Sequence, residues 1–229
     1  MDPTVEQLRK RAEETVVGRL HFQQLMWRFN KPKYPEWVQH VEEGVAHQIS
    51  EMASRRNDLH DLDEDALTAV VVIALRNLDM DIDGKVVNGN ADLSIEFDDY
   101  RWLGEAKIAL DASKLYHGYQ QLTSRYSTGL PNGSAGGMLL YCTHDSAKVI
   151  LDGWKAALEH QVPHSNPIDG EMPLSFRSTD TCGSTGLSLD IVHLAFPLFH
   201  KPLENESKLS KKAIMEARNA RAKARKSAS

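Results

Sequence analysis

Apolar residues recur at helical spacing through the first part of the chain and switch to strict alternation near its middle. Val5, Leu8, Ala12, Val16 and Leu20 form one stripe, since positions three or four apart share a helix face. They predict one long helix that starts at Asp2-Pro3, a capping residue followed by a first-turn proline. Lys31-Pro32-Lys33-Tyr34-Pro35 ends it. A second helix is predicted from Pro35, with Trp37 or Val38, Val41, Val45, Ile49 and Met52 at helical spacing, stopping at Arg55-Arg56-Asn57-Asp58. A third begins near the caps Asp61 and Asp63 and carries the run Val70 to Leu75. That run is apolar on every side, so the helix is expected to lie buried between other elements.

The pattern then changes to strands. Asp81 to Ile108 holds short β-rich runs interrupted by Asn88-Gly89-Asn90 and Asp98-Asp99. Leu110 to Tyr126 reads as a helix, and a Gly-rich loop from Gly129 leads into a buried strand, Gly137 to Cys142. Ser146 to His160 is helical, with Val149, Ile150, Trp154 and Leu158 on one face. Asn166 to Gly186, rich in Pro, Gly, Ser and Thr, reads as a long loop, and Leu187 to Phe199 as a final strand. The order predicts an α/β fold, a mixed sheet of four or five strands flanked by helices with an added N-terminal helical region. The corresponding division is a helical region over 1–56, a core over 57–205 and a basic tail over 206–229.

Charge refines this picture. Of 27 basic and 32 acidic residues, eight basic and one acidic fall within Lys208–Ser229, so that segment carries +7 and the rest of the chain −12. A uniformly basic nucleic-acid binder does not have this profile. An acidic body with a basic tail leaves room for nucleic acid only at a local site; the tail reads equally well as a solvated charged helix. The longest apolar run, Ala66 to Leu75, is too short to span a bilayer, so no membrane partner is expected. The N-terminus lacks the basic-then-apolar order of a signal peptide. Cys142 and Cys182 are therefore read as reduced thiols of a cytoplasmic protein.

The strongest chemistry lies in residues 92–107. Asp92-Leu93-Ser94-Ile95-Glu96-Phe97 alternates polar and apolar, the period of a half-buried strand. With Asp98-Asp99 as a two-residue turn, Phe97 faces Tyr100, Glu96 faces Arg101 and Ile95 faces Trp102. The same register sets Asp92 opposite Glu105. Two carboxylates about 5 Å apart at Cβ repel unless a cation lies between them. Lys107, two residues beyond Glu105, points to the same face. Two acids and a lysine on one strand pair can hold Mg²⁺ by hard oxygen ligands and still present an ammonium to a phosphate or a water.

Asp92 followed by Glu105-Ala106-Lys107, with a helix before the hairpin and a helix and buried strand after it, resembles the PD-(D/E)XK, or restriction-endonuclease-like, nuclease superfamily. The resemblance spans roughly residues 60 to 200, with its specific signal in residues 92–126. It implies a restriction-endonuclease-like sheet and Mg²⁺, with Mn²⁺ able to substitute, held by Asp92, Glu105 and the carbonyl of Ala106. It also implies that Lys107 orients or activates the attacking water and steadies the transition state. Ala91 stands where the family motif often has proline. Gln120-Gln121-Leu122-Thr123-Ser124-Arg125-Tyr126 resembles the Gln-Leu-x-x-Tyr element of several branches, with one extra residue before the tyrosine. There Gln121 would help hold the water or metal shell and Tyr126 would contact phosphate.

The blander readings are a surface hairpin with incidental charges and a non-cleaving relative of the same fold. Glu206-Ser207-Lys208 and Asp83-Gly84-Lys85 also match acid-x-Lys, but neither follows a paired strand. Glu64 on the third helix could complete a metal shell, although a carboxylate at a helix N-terminus is ordinary. The ten histidines have no ligand spacing and the cysteines no Cys-x-x-Cys pair, which argues against structural zinc. His144-Asp145 lacks a nucleophile elbow, and the Gly129–Gly137 loop precedes a strand and has no Gly-Lys-Ser/Thr. The expectation is a Mg²⁺-dependent nuclease that hydrolyses DNA by in-line attack of an activated water. Little of the chain is dedicated to reading DNA, which suggests a nuclease subunit of a prokaryotic anti-phage or restriction system, guided or activated by a protein partner. Trp27, Phe29, Tyr34 and Trp37 around the proline break offer a surface for a homo-oligomer or another partner, or else pack onto the core. The alternative is a structural or regulatory subunit that only binds nucleic acid or protein.

Overall fold

The computed structural model describes residues 2–83 and 91–201. The chain divides into a unit of residues 1–199 and a second of residues 200–229, of which only His200 and Lys201 are described. The basic tail predicted over 206–229 thus lies outside the described residues.

In the first unit the helices are α1 (Val5–Ala12), α2 (Val16–Trp27), α3 (Tyr34–Ser54), α4 (Arg56–Leu59), α5 (Glu64–Arg76), α6 (Ala112–Gln121) and α7 (Ala147–Gln161). The strands are β1 (Asp81–Asp83), β2 (Leu93–Phe97), β3 (Tyr100–Ile108), β4 (Ala135–Cys142), β5 (Ile168–Asp169), β6 (Ser175–Thr181) and β7 (Ser188–Pro197). Among the described residues they form one seven-stranded sheet in the order β1-β2-β3-β4-β7-β6-β5. The central β3-β4-β7 pairs are parallel and the outer pairs antiparallel. Every residue of β4 is buried, as a central parallel strand covered on both faces requires. Leu139 and Tyr141 join Trp37, Val41, Leu67, Val71 and Trp102 in one core; Met138 and Leu140 join Leu115, Tyr119, Leu151 and Trp154 in the other. The mixed α/β sheet flanked by helices is as the sequence predicts.

Details differ for physical reasons. The sheet has seven strands rather than four or five, because β5 and β6 form within the stretch read as a loop. In β6, Phe176 and Ser178 are buried while Arg177 points the other way between Glu42 and Asp190. Such a strand owes its place to polar partners and to pairing with β7, not to an apolar pattern. The first helix is two helices, broken at Glu13-Glu14 and restarted by Thr15, whose hydroxyl caps the Gly18 N–H. Its start is Thr4, in a reciprocal capping box with Gln7, rather than Asp2. Helix α5 is not buried all round, because Ile73 is 60% exposed while Leu67, Val71 and Leu75 face the core. Of the four aromatic residues at the proline break, Trp37 is buried and Trp27 and Tyr34 pack on the core, leaving Phe29 82% exposed.

Candidate functional site

The β2–β3 hairpin has the predicted register: Phe97 pairs with Tyr100, Glu96 with Arg101, Ile95 with Trp102 and Leu93 with Gly104. Asp98 takes the left-handed conformation at the turn, with φ of 58°, which aspartate tolerates better than most residues. Arg101 Nε donates to Glu96 Oε1 at 2.9 Å across the strands.

Asp92 lies at the opposite end, immediately before β2. Its Oδ2 accepts the Ala106 N–H at 2.8 Å, so the backbone of β3 fixes the carboxylate beside Glu105 and Lys107. Both of these are buried, Glu105 being 2% and Lys107 8% exposed. Lys107 Nζ donates to Glu105 Oε1 at 2.6 Å and to the Ala106 carbonyl at 3.0 Å, and stands 3.6 Å from Asp92 Oδ2. The structure thus brings Asp92, Glu105, Lys107 and the Ala106 carbonyl together around one ammonium.

A further carboxylate reaches the cluster from the first turn of α5. Asp63 caps that helix through the Ala66 N–H, at 2.8 Å, which places Glu64 at its first position. Glu64 Oε2 accepts the Ile108 N–H at 2.8 Å and the Lys114 ammonium at 2.7 Å, while Oε1 accepts from Lys107 at 3.3 Å. Asp63 satisfies the helix end, leaving Glu64 to serve the site. Lys114 of α6 is a member that sequence reasoning missed; its position one turn into the helix after the lysine strand is the signal that was available.

Helix α6 closes the cluster from the other sheet face. A Cβ at Gly118 would lie 2.9 Å from Lys107 Cγ and 3.1 Å from its Cε. Only glycine lets the buried lysine stem run this close beneath the helix. Gln121 ends α6 with its Oε1 buried and without a hydrogen-bond partner. A π-helical turn over Leu122–Tyr126 follows. A π turn takes up one residue more than an α turn, which accommodates the extra residue between Gln121 and Tyr126. Burial and then the charge of Glu105 raise the Tyr126 phenol pKa, which places that ring within electrostatic reach of the carboxylates.

Burial, followed by the charge of Asp92, pushes the Glu105 carboxyl up to about 7, against the opposing pull of Lys107. Asp92 is also raised, by burial first and despite the Ala106 N–H. At Glu64 burial acts upward, but Lys114, the Ile108 N–H and Lys107 hold the group below its ordinary range. Burial alone would lower Lys107; hydrogen bonding to Glu105 and the charges of Glu105, Asp92 and Glu64 raise it instead. Carboxyl groups pushed in opposite directions at one place characterise acid–base and ion-binding sites.

The donor atoms gathered here are of the type a hard divalent ion takes. Asp92, Glu105, Glu64 and the Ala106 carbonyl offer only oxygen, and Glu105 Oε2 is buried with no partner. When all three carboxyl groups are ionised they exceed the two ammonium groups by one negative charge. Among the described residues no group of three or more histidine, cysteine, aspartate or glutamate side chains is arranged to hold a metal ion; Lys107 Nζ lies 2.6, 3.3 and 3.6 Å from oxygens of Glu105, Glu64 and Asp92. A cavity of about 910 Å³ lies elsewhere, by Arg177, Glu42, Asp190 and Tyr34; there Arg177 is already paired with the two carboxylates. Cys142 and Cys182 are both buried and free.

No protein-family model, no curated protein and no solved structure matches this chain.

Proposed function

We propose that the chain is a Mg²⁺-dependent nuclease that hydrolyses DNA phosphodiester bonds, as the nuclease subunit of a prokaryotic anti-phage or restriction system. The observation that carries this reading is the convergence of Asp92, Glu105 and Lys107 where β2 begins and β3 ends, with the Ala106 backbone between them. Asp92, Glu105 and the Ala106 carbonyl would hold the ion, with Glu64 within reach of the same ammonium. When bound, Mg²⁺ supplies Lewis-acid polarisation of the phosphoryl group and makes a water more acidic. Lys107 offers positive charge to the phosphate as negative charge builds during in-line displacement. Gln121 offers a free carbonyl oxygen to orient a water.

The test is cleavage of plasmid and linear DNA by the purified chain with Mg²⁺, Mn²⁺, Ca²⁺ or chelator, adding any genetic partner if the chain alone is silent. Cleavage is expected with Mg²⁺ and Mn²⁺. Ca²⁺, larger and less demanding in geometry, should support binding with little cutting. Cutting that persists in chelator, or in a folded Glu105→Ala protein, would falsify the assignment.

One feature favours a second reading, a non-catalytic subunit that binds partners. An apolar groove of about 490 Å³ runs between α1 and α2, lined by Leu8, Ala12, Phe22 and Leu25, and α1 buries none of its residues. Silence of the parent with its partner present would favour this reading.

A further inference from the structure

Lys107 has three ammonium protons, and all three are committed. They go to Glu105 Oε1, the Ala106 carbonyl and Glu64 Oε1, at 2.6, 3.0 and 3.3 Å. Two of these acceptors are atoms the nuclease reading assigns to the ion, and Asp92 Oδ2, a third, lies 3.6 Å away. The stem is held in place beneath Gly118, and the residue as a whole is buried. Even so, one ammonium cannot serve every oxygen: Glu105 Oε2 has no partner, and the short hydrogen bond to Asp92 comes from the Ala106 N–H, at 2.8 Å, with the ammonium farther off at 3.6 Å.

We propose that Lys107 is the counter-cation of the metal-free site, occupying the place of the divalent ion and giving up Glu105 and the Ala106 carbonyl when the ion arrives. This rests on the metal-dependent reading above. An ammonium and a divalent ion sharing the same oxygens in a buried site repel strongly, so the two states exclude each other. Glu64 is built to receive the displaced ammonium. It already accepts from Lys107 and is anchored by the Ile108 N–H and Lys114, so the exchange leaves neither charge stranded. The same step turns Lys107 from a structural ion-pair partner into a group able to face a substrate phosphate. Uptake of the ion and arming of the lysine are then one event.

The exchange predicts an inverse relation between charge at position 107 and ion affinity. Mn²⁺ binding is measured on the full chain by paramagnetic titration or calorimetry, without nucleic acid, for the parent, Lys107→Met, Lys107→Arg and Glu105→Gln. Lys107→Met keeps an unbranched stem under α6 and removes the charge. It should bind Mn²⁺ at least tenfold more tightly than the parent, melt lower than the parent in chelator and gain the larger melting shift on Mn²⁺ addition. Lys107→Arg should stay near the parental affinity, and Glu105→Gln should lose the ion. Should Lys107→Met not fold without metal, Lys107→Gln provides the same comparison. Equal or weaker Mn²⁺ binding by the neutral variants overturns the exchange while leaving the metal reading intact. Absence of Mn²⁺ binding from the parent and from every neutral variant overturns the metal reading and the exchange together.

Discussion

At the scale of single residues, the proposed function separates side chains that would carry chemistry from those that carry the fold. Replacing Lys107 by Ala removes the ammonium but leaves Asp92 and Glu105, so nucleic-acid binding should survive while turnover falls by about 10²–10³, the usual contribution of a charge aimed at a transition state. Asp92→Ala should abolish turnover by removing a proposed ion ligand, and unchanged cutting by either variant would remove these residues from the site. Elsewhere His193 is a residue of the fold. Trp154 Nε1–H donates to its Nδ1 at 3.0 Å, so Nε2 carries the proton and donates to Ser178 Oγ at 2.8 Å. The ring stacks on Phe176 at 4.1 Å, and burial pushes its pKa down to about 3. The unfolded chain titrates near the ordinary 6.5 and so binds the proton first. The stability gained from neutral His193 is therefore complete above pH 6.5 and lost as the pH falls towards 3, by on the order of a few kcal/mol over that window. Urea unfolding of the parent and His193→Phe at several pH values tests this. The variant should be weaker at neutral pH, by about 1–3 kcal/mol for the orphaned Trp154 and Ser178 groups, yet less sensitive to acid. Parallel pH profiles would show that His193 is not the titrating group.

Elements were legible where local rules decide them and obscure where partners do. Alternation and a two-residue turn fix which side chains of residues 92–107 share a face, so Asp92, Glu105 and Lys107 could be grouped before any fold was known. Glu64 could be read only as a possible addition, because a carboxylate at a helix start is ordinary, and Lys114 was missed, because a lysine one turn into another helix is ordinary until the sheet brings it to the cluster. Strand β6 was invisible for a related reason: the partners of Arg177 are Glu42, on α3, and Asp190, on β7. Helix α6 shows what a single local anomaly can reveal. Alanine is favoured over glycine inside a helix by about 1 kcal/mol, yet at Gly118 a Cβ would press on the middle of the Lys107 stem. Gly118→Ala should therefore lower the melting temperature of the parent, since Lys107 is pinned at its far end and cannot yield cheaply. In a Lys107→Ala background the obstruction is gone and the same change should raise it. Thermal unfolding of the four proteins reads this coupling directly. Additive effects would show that α6 and the lysine stem are independent.

For the molecule as a whole, the unequal distribution of charge would set how it meets DNA under the proposed function. Outside Lys208–Ser229 the chain carries −12, and that segment carries +7. A body of that sign repels a DNA backbone at long range, so attraction must come from local basic groups, and the tail holds the densest set. Lys211, Arg218, Arg221 and Arg225 are spaced by seven, three and four residues, which aligns them on one face if the tail is helical. Basic groups that neutralise phosphates release condensed counterions, and log affinity then falls with log salt by about 0.9 per neutralised phosphate on duplex DNA. Deleting residues 208–229 should accordingly weaken binding and flatten that slope by roughly one unit for each phosphate left without its basic partner. Cleavage chemistry at saturating DNA should be unchanged, because the carboxylates and Lys107 belong to the other unit. The measurement is a binding titration of full-length and truncated chains at several salt concentrations in Ca²⁺, with single-turnover cleavage in Mg²⁺ alongside. A slope that does not move on truncation would assign the tail to solubility or to a protein partner. A flattened slope with slower saturated cleavage would show that the tail also positions DNA at the site.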